Sequence, residues 1–191
     1  EVAISVIKTI DGGYAILGYT QSNDLDFSQK TNTSFDYTVL KFSSNDKLEW
    51  KKTYGGSNDD RGEKIISTSD GGYAILGYTK SNDIDVTNNA GDRDYWLVKL
   101  TATGNISWQK TFGYIGKDIG TTLIETDDGG FLIAGELDVT SSGGLGNSKS
   151  SAIQHAGGDV WVLKLNNLGA IEWSKYYGGT FTDTPLGIVK T

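Results

Sequence analysis

Asp70-Gly71-Gly72-Tyr73-Ala74-Ile75-Leu76-Gly77-Tyr78-Thr79 decides how this chain folds, because the chain spells it more than once. The same ten residues stand at Asp11 to Thr20, and a looser copy runs from Asp128 to Gly135 as Asp-Gly-Gly-Phe-Leu-Ile-Ala-Gly. A second phrase keeps step with the first. It reads Leu48-Glu49-Trp50-Lys51-Lys52-Thr53-Tyr54-Gly55, then Ile106-Ser107-Trp108-Gln109-Lys110-Thr111-Phe112-Gly113, then Ile171-Glu172-Trp173-Ser174-Lys175-Tyr176-Tyr177-Gly178. Self-similarity at a fixed period, here about 60 residues, is the mark of a repeat architecture.

Within one period the patterning is that of short strands. Asp-Gly-Gly is a tight-turn signal, since glycine takes positive φ without steric cost. Before it lies a first strand carrying adjacent apolar pairs: Val6-Ile7, Ile65-Ile66, Leu123-Ile124 and Ile188-Val189. Such pairs predict burial on both faces. After the turn comes a near-continuous apolar strand, Tyr14 to Thr20, with Gly18 inside; Gly77 and Gly135 repeat the position. A recurrent strand-interior glycine predicts close approach by a neighbouring sheet. A long polar loop follows, then a third strand (Tyr37 to Phe42, Tyr95 to Leu100, Val160 to Leu165) and a short turn. The fourth strand alternates, with Leu48, Trp50 and Tyr54 on one face and Glu49, Lys51 and Thr53 on the other. Alternation marks a half-exposed strand.

Four antiparallel strands per period predict an all-β fold of β-propeller blades. Residues 1–59, 60–117 and 118–182 form three blades, the third with a Gly/Ser-rich insertion at about 141–158, and residues 183–191 begin the first strand of a further blade. Propellers close with four to eight blades. The ring is therefore expected to be completed by further blades of a longer chain or by a second copy giving six. A β-solenoid is the rival all-β repeat.

Composition agrees and narrows the function. Twenty-six glycines, one proline and 11% aromatics suit many short strands and tight turns. There is no cysteine, which removes disulfides and thiolate metal sites. A formal net charge of −7 argues against nucleic acid as a partner. No apolar stretch is long enough to cross a membrane as a helix. Any signal peptide or anchor would lie outside this sequence.

The run Asp-Gly-Gly-Tyr-x3-Gly-Tyr-Thr, then Asp94-Tyr95-Trp96-Leu97-Val98-Lys99-Leu100, then Gly104-Asn105-Ile106-x-Trp108-x-Lys110-Thr111-x-Gly113, resembles the repeats of secreted and cell-surface bacterial β-propeller proteins of the Bacteroidetes type. The resemblance spans essentially the whole chain. It implies an extracellular or cell-surface location and a role in binding, adhesion or scaffolding, with a protein or glycan ligand. The third repeat departs from the pattern, with Glu136-Leu137 where the others have Tyr-Thr.

Strand order places the long loops on one face together with the linkers from each fourth strand to the next first strand. Binding residues favour loops on a rigid scaffold, so this is the candidate functional face. It is acidic. Asp26, Asp85 and Asp138 stand near the loop starts, Asp36, Asp94 and Asp159 at the loop ends, and Asp24 and Asp83 beside the first set. Converging carboxylates and carbonyls suit Ca²⁺, which takes six to eight oxygens in irregular geometry. The candidate ligands are Asp83, Asp85 and Asp94, with Asn82, and Asp24, Asp26 and Asp36 in the first blade. Aspartates at loop ends also serve as acceptors for nearby backbone N–H groups, and no EF-hand spacing is present. Asp60, Asp118 and Asp183 recur before each first strand, either as a carboxylate ring for a cation or as caps on the chain crossing.

Trp50, Trp108 and Trp173 read as packing between blades rather than sugar platforms; Phe27 and Phe35 are the loop aromatics open to a sugar. His155 is the only histidine and sits in the third loop. A Ser-His-Asp set with Ser150 or Ser151 and Asp159 lacks any nucleophile elbow, and Gly143-Gly144-x-Gly146 lacks the strand-to-helix setting of a phosphate loop. The expected protein is a non-catalytic binding or scaffold module, with Ca²⁺ as its candidate stabilising ion. The competing expectation is a carbohydrate-active propeller enzyme using paired carboxylates of the same face.

Overall fold

A computed structural model describes residues 1–142, 158–179 and 181–191. These hold twelve strands: β1 Val2–Lys8, β2 Tyr14–Thr20, β3 Asp36–Phe42, β4 Leu48–Tyr54, β5 Asp60–Ser67, β6 Tyr73–Thr79, β7 Asp94–Leu100, β8 Ile106–Phe112, β9 Ile119–Glu125, β10 Phe131–Asp138, β11 Gly158–Leu165 and β12 Ile171–Tyr177. They form three separate four-stranded antiparallel sheets, each in simple sequential order. The helical content among the described residues is one short 3₁₀ turn, Leu25–Phe27. The architecture is thus all-β, with one propeller-like, blade-like sheet per sequence repeat, and the three sheets do not close into a ring.

The repeated phrase is the turn and second strand of each sheet. In the turn, Gly12, Gly71 and Gly129 take φ of 84°, 81° and 75°, which no larger residue adopts without strain. The aspartate before each glycine pair accepts the N–H two residues on: Gly13 N to Asp11 Oδ1 at 3.1 Å, Gly72 N to Asp70 Oδ1 at 3.0 Å, Gly130 N to Asp128 Oδ1 at 3.0 Å. The strand that follows is the heart of its sheet. In sheet 2, every residue of β6 and β7 is buried.

Two hydrophobic cores lie between the sheets. One joins sheets 1 and 2 through Leu17, Tyr37, Val39, Ile75 and Trp96; the other joins sheets 2 and 3 through Leu76, Tyr95, Leu123, Ile133 and Trp161. Trp50 meets Tyr73 edge-on at 5.9 Å between centroids, and Trp108 meets Phe131 at 5.7 Å, so the periodic tryptophans of β4 and β8 are inter-sheet packing as expected. Trp173 of β12 meets no such ring among the described residues and is 41% exposed.

Two expectations need correction, and a third, the close approach of a neighbouring sheet to the strand-interior glycines, is met but is not the closest contact. The first strands are not uniformly buried on both faces. β5 touches both β1 and β9 and alternates between buried and half-buried, whereas β1 has a neighbour on one side and leaves Val2, Ile4 and Val6 exposed. The strand-interior glycines are crowded first by their own sheet. A Cβ on Gly77 would lie 2.1 Å from Arg61 O, where β5 bulges between Gly62 and Lys64, and 2.7 Å from Tyr37 Oη of the neighbouring sheet. Residues 185–191, expected as the first strand of a further blade, form no strand. They run beside β9, where Thr121 Oγ1 donates to Pro185 O (2.7 Å) and Ile188 N to Thr122 Oγ1 (3.2 Å).

Candidate functional site

The long loops and the inter-sheet linkers do share a face, and they hold each other there. The loop after β6 donates Asp92 N to Ile115 O (3.2 Å) and Arg93 N to Gly116 O (3.1 Å) in the linker after β8. At its other end the same loop grips the linker after β4. Ser57 N donates to Asp83 Oδ1 (2.8 Å), Gly55 N to Asp85 Oδ2 (3.2 Å) and Asn58 N to Ser81 Oγ (3.0 Å). Aspartates two apart can both face one linker only if the residue between them turns outward. Ile84 does so, at φ 59° and 69% exposed. Leu25, between Asp24 and Asp26, repeats the conformation at φ 44° and is 90% exposed. A large aliphatic residue in the left-handed region is an outlier.

The candidate ligand set is therefore divided. Asp83 and Asp85 dock on the linker after β4, close to Asp36 and Asp60. Asp94 lies on the far side of its sheet, where it accepts Ala90 N at 2.8 Å and packs its Oδ1 against Gly113. Asp24 and Asp26 are exposed, and Asp26 contacts Lys51. Asp36 is buried with the Lys30 ammonium 3.6 Å away; Lys30 also donates to Asn32 O (2.8 Å) and Ser34 O (2.6 Å). No group of three or more His, Cys, Asp or Glu side chains poised to hold a metal occurs among the described residues. Strand pairing also shifts one alignment: Leu137 opposes Asp159 as Thr79 opposes Asp94, so Asp138 stands where Lys80 does, not where Asp85 does.

The aspartates before each first strand are caps. Asp60 accepts Gly56 N (2.8 Å), Asp118 accepts Tyr114 N (2.7 Å) and Asp183 accepts Gly179 N (2.8 Å), each from four residues upstream. Asp60 further accepts Lys80 N (3.1 Å), Ser81 Oγ (2.8 Å) and the Thr79 hydroxyl, and Asp118 accepts Asp138 N (2.8 Å). One carboxylate thus ties the end of the second strand to the chain crossing. Asp60 and Asp118 are fully buried. Burial pushes Asp36 up to about 7, with Lys30 opposing and Asp60 adding to the rise. Burial likewise raises Asp94 and Asp118 to about 6.

The loop aromatics offer no open platform. Phe35 is stacked under the Arg61 guanidinium at 4.2 Å and meets Tyr19 edge-on at 5.3 Å; Phe27 is half-buried. The Gly/Ser-rich stretch with His155, Ser150, Ser151 and Gly143-Gly144-x-Gly146 lies outside the described residues.

The opposite face holds the feature that sequence reading missed. Lys41, Lys99 and Lys164 interrupt the apolar third strands. Each bends back to the Asp-Gly-Gly turn: Lys41 Nζ to Asp11 Oδ2, Lys99 Nζ to Asp70 Oδ2 and Lys164 Nζ to Asp128 Oδ2, all at 2.8 Å. Each also donates to its own next carbonyl, on Phe42, Leu100 and Leu165. The signal was available as a lysine at one fixed place in every otherwise apolar third strand. The cleft lined by Thr9, Ile10, Asp11, Lys41, Glu49 and Tyr73, about 250 Å³, is on this short-turn side.

The chain matches no protein-family model, and no curated protein is significantly similar to it.

Proposed function

We propose that the chain carries blades of an extracellular or cell-surface β-propeller of the bacterial repeat type, and that it works by non-catalytic binding, adhesion or scaffolding through the long-loop face. The observation that supports this most is the pair of loop tips. Leu25 and Ile84 present bare aliphatic side chains at matching places of two sheets, in a backbone conformation that glycine or asparagine would hold at lower cost. Strain of this kind is kept where a surrounding structure over-determines it and a function uses it. At Ile84 the flanking aspartates, gripping Ser57 N and Gly55 N, supply the first condition, and recognition by the tips supplies the second. The ligand is a protein or glycan with an apolar contact patch.

The carbohydrate-active alternative needs two carboxyls flanking an open cleft. Asp36, Asp94 and Asp118, the carboxyls raised towards neutrality, are instead packed under linkers.

The test pairs binding with stability. Purified chain is applied to arrays of bacterial and host-surface glycans and extracellular-matrix proteins, beside a Leu25→Gly/Ile84→Gly variant. The expected result is retention of the native chain on at least one array class, lost in the variant, while the variant melts at a higher temperature. Native and variant chains that bind alike, or a native chain that binds nothing at 100 μM (about 5.5 kcal/mol of binding free energy), would overturn the reading.

A further inference from the structure

On the short-turn side, the two junctions between sheets are built to one plan but finished differently. In both, a third-strand lysine of the earlier sheet reaches the aspartate of its own turn, and the later sheet sets an aromatic residue at the start of its second strand. At the junction of sheets 2 and 3, Glu125 of β9 bridges across, accepting Ser69 N (2.7 Å) and Ser69 Oγ (2.8 Å). At the junction of sheets 1 and 2 the place of Glu125 is taken by Ser67 and that of Ser69 by Ile10. Ser67 makes one long hydrogen bond, to Lys8 O (3.4 Å), and Ile10 is left 71% exposed. Here lies the cleft of about 250 Å³.

Tyr73 sends an unpaired hydroxyl into this cleft. The residue is 3% exposed, yet its hydroxyl makes no hydrogen bond among the described residues, and buried polar groups are normally satisfied. The direction of the hydroxyl follows from the charges it feels. Burial pushes its pKa up, Lys41 opposes the rise, and Asp11 and Glu49 add to it; all three charges line the cleft. Packing does not require the hydroxyl, because Phe131 meets Trp108 at 5.7 Å much as Tyr73 meets Trp50 at 5.9 Å. Lys41 Nζ is shared by Asp11 Oδ2 and Glu49 Oε2, both at 2.8 Å, which leaves one negative charge over and Glu49 Oε1 open. That charged trio alone is architecture, since Lys164 repeats it with Asp128 (2.8 Å) and Glu172 (3.0 Å). The Tyr73 hydroxyl and the missing bridge are what architecture leaves unexplained.

We propose that this cleft binds a small hydroxylated primary amine, of the size of a single hexosamine ring. The ammonium meets the open oxygen of Glu49 and the exposed edge of Asp11, a ligand hydroxyl pairs with Tyr73 Oη, and the carbon skeleton lies against Ile10. Charge selects the amine. The Lys41 ammonium is 2% exposed and already paired, so an anion would meet only the surplus negative charge, whereas a cation completes the set. Size selects a monosaccharide, since the cleft falls short of the volume that holds drug-sized ligands. The cleft opens opposite the long loops, so the inference is independent of what the loop tips bind.

Calorimetric titration of the full chain with glucosamine, at about pH 6.5 where the amine is protonated, tests this. The expected result is saturable one-site binding with Kd on the order of 1 mM. Glucose and N-acetylglucosamine, which lack the ammonium, should bind about tenfold more weakly or worse. Tyr73→Phe, which copies Phe131 of the next sheet, should weaken glucosamine binding about tenfold. Ser67→Glu, which copies Glu125, should abolish it by bridging the cleft. Both variants should keep the native far-UV circular dichroism, and Leu25→Gly/Ile84→Gly should bind glucosamine as the native chain does. No saturation up to about 20 mM overturns the proposal. So does binding indifferent to both Tyr73→Phe and Ser67→Glu, or N-acetylglucosamine bound as well as glucosamine.

Discussion

Asp70 and Lys99 show what a single residue does in this chain. The Lys99 ammonium is nearly buried and is satisfied by Asp70 and by Leu100 O (3.1 Å), while Asp70 also takes the Thr68 hydroxyl (2.6 Å) and Gly72 N. Burial works against the Asp70 carboxylate, yet the Lys99, Thr68 and Gly72 hydrogen bonds together hold it down to about 2. Removing one partner of such a pair leaves the other unsatisfied, which costs about 1–3 kcal/mol. Asp70→Ala should therefore lower the urea midpoint by an amount equivalent to about 2 kcal/mol, tempered by the 63% exposure of the Asp70 side chain. A midpoint within error of the native one would show that water replaces Asp70 at no cost. The first letter of the repeated phrase is therefore explained by a residue nearly thirty positions downstream.

At the scale of the strand, the glycine inside each second strand is set by a bulge. Gly77 faces Arg61 O at the irregularity between Gly62 and Lys64, and Gly135 faces Ile119 O at the corresponding place. Gly77→Ala should destabilise by about 2 kcal/mol through overpacking, measured by denaturant unfolding. Ala74→Gly, on the same strand but away from the bulge, provides the control for simple strand propensity. Much of this level was legible in the sequence. Period-2 alternation, the Asp-Gly-Gly turns and the in-step Trp phrases located the strands of each sheet, because they are local. The bulge was not legible, since it depends on register between two strands rather than on either alone. The same limit explains the candidate site. Asp83, Asp85 and Asp94 belong to one loop in sequence, but the two ends of that loop dock on different linkers, which no spacing within the loop reveals. Nor does spacing disclose that Lys30 lies beside Asp36 as its buried counter-charge.

The whole molecule inherits an unusual acid response from these buried groups. Folded Asp36 keeps its proton up to about pH 7, and Asp94 and Asp118 to about pH 6, whereas unfolded aspartates release theirs near pH ~4. Folding therefore takes up protons across this window. Stability should fall as pH rises from ~4 to about 7 and level off above it. Asp11, held to about 2 chiefly by its Lys41 hydrogen bond, and Asp70 act in the opposite sense, so stability should also fall as pH drops from ~4 towards 2. The melting temperature should peak near pH ~4, and Asp36→Asn should flatten the limb above the peak. A melting temperature that climbs from pH 4 to 7 would mean that water reaches Asp36 in the folded protein.

The tyrosine stitches between sheets run one way. Tyr37, Tyr54 and Tyr95 each donate a hydroxyl proton from an earlier sheet to a backbone carbonyl of the next, on Trp96, Gly104 and Trp161. The linker N–H groups of Gly55 and Ser57 likewise wait for acceptors that lie about 25 to 30 residues downstream. During synthesis on the ribosome, which releases chains N-terminus first, each sheet would emerge with its donors unmet until its successor follows. Assembly would then proceed as a zipper driven from the N-terminal side, with every new sheet completing the one before it.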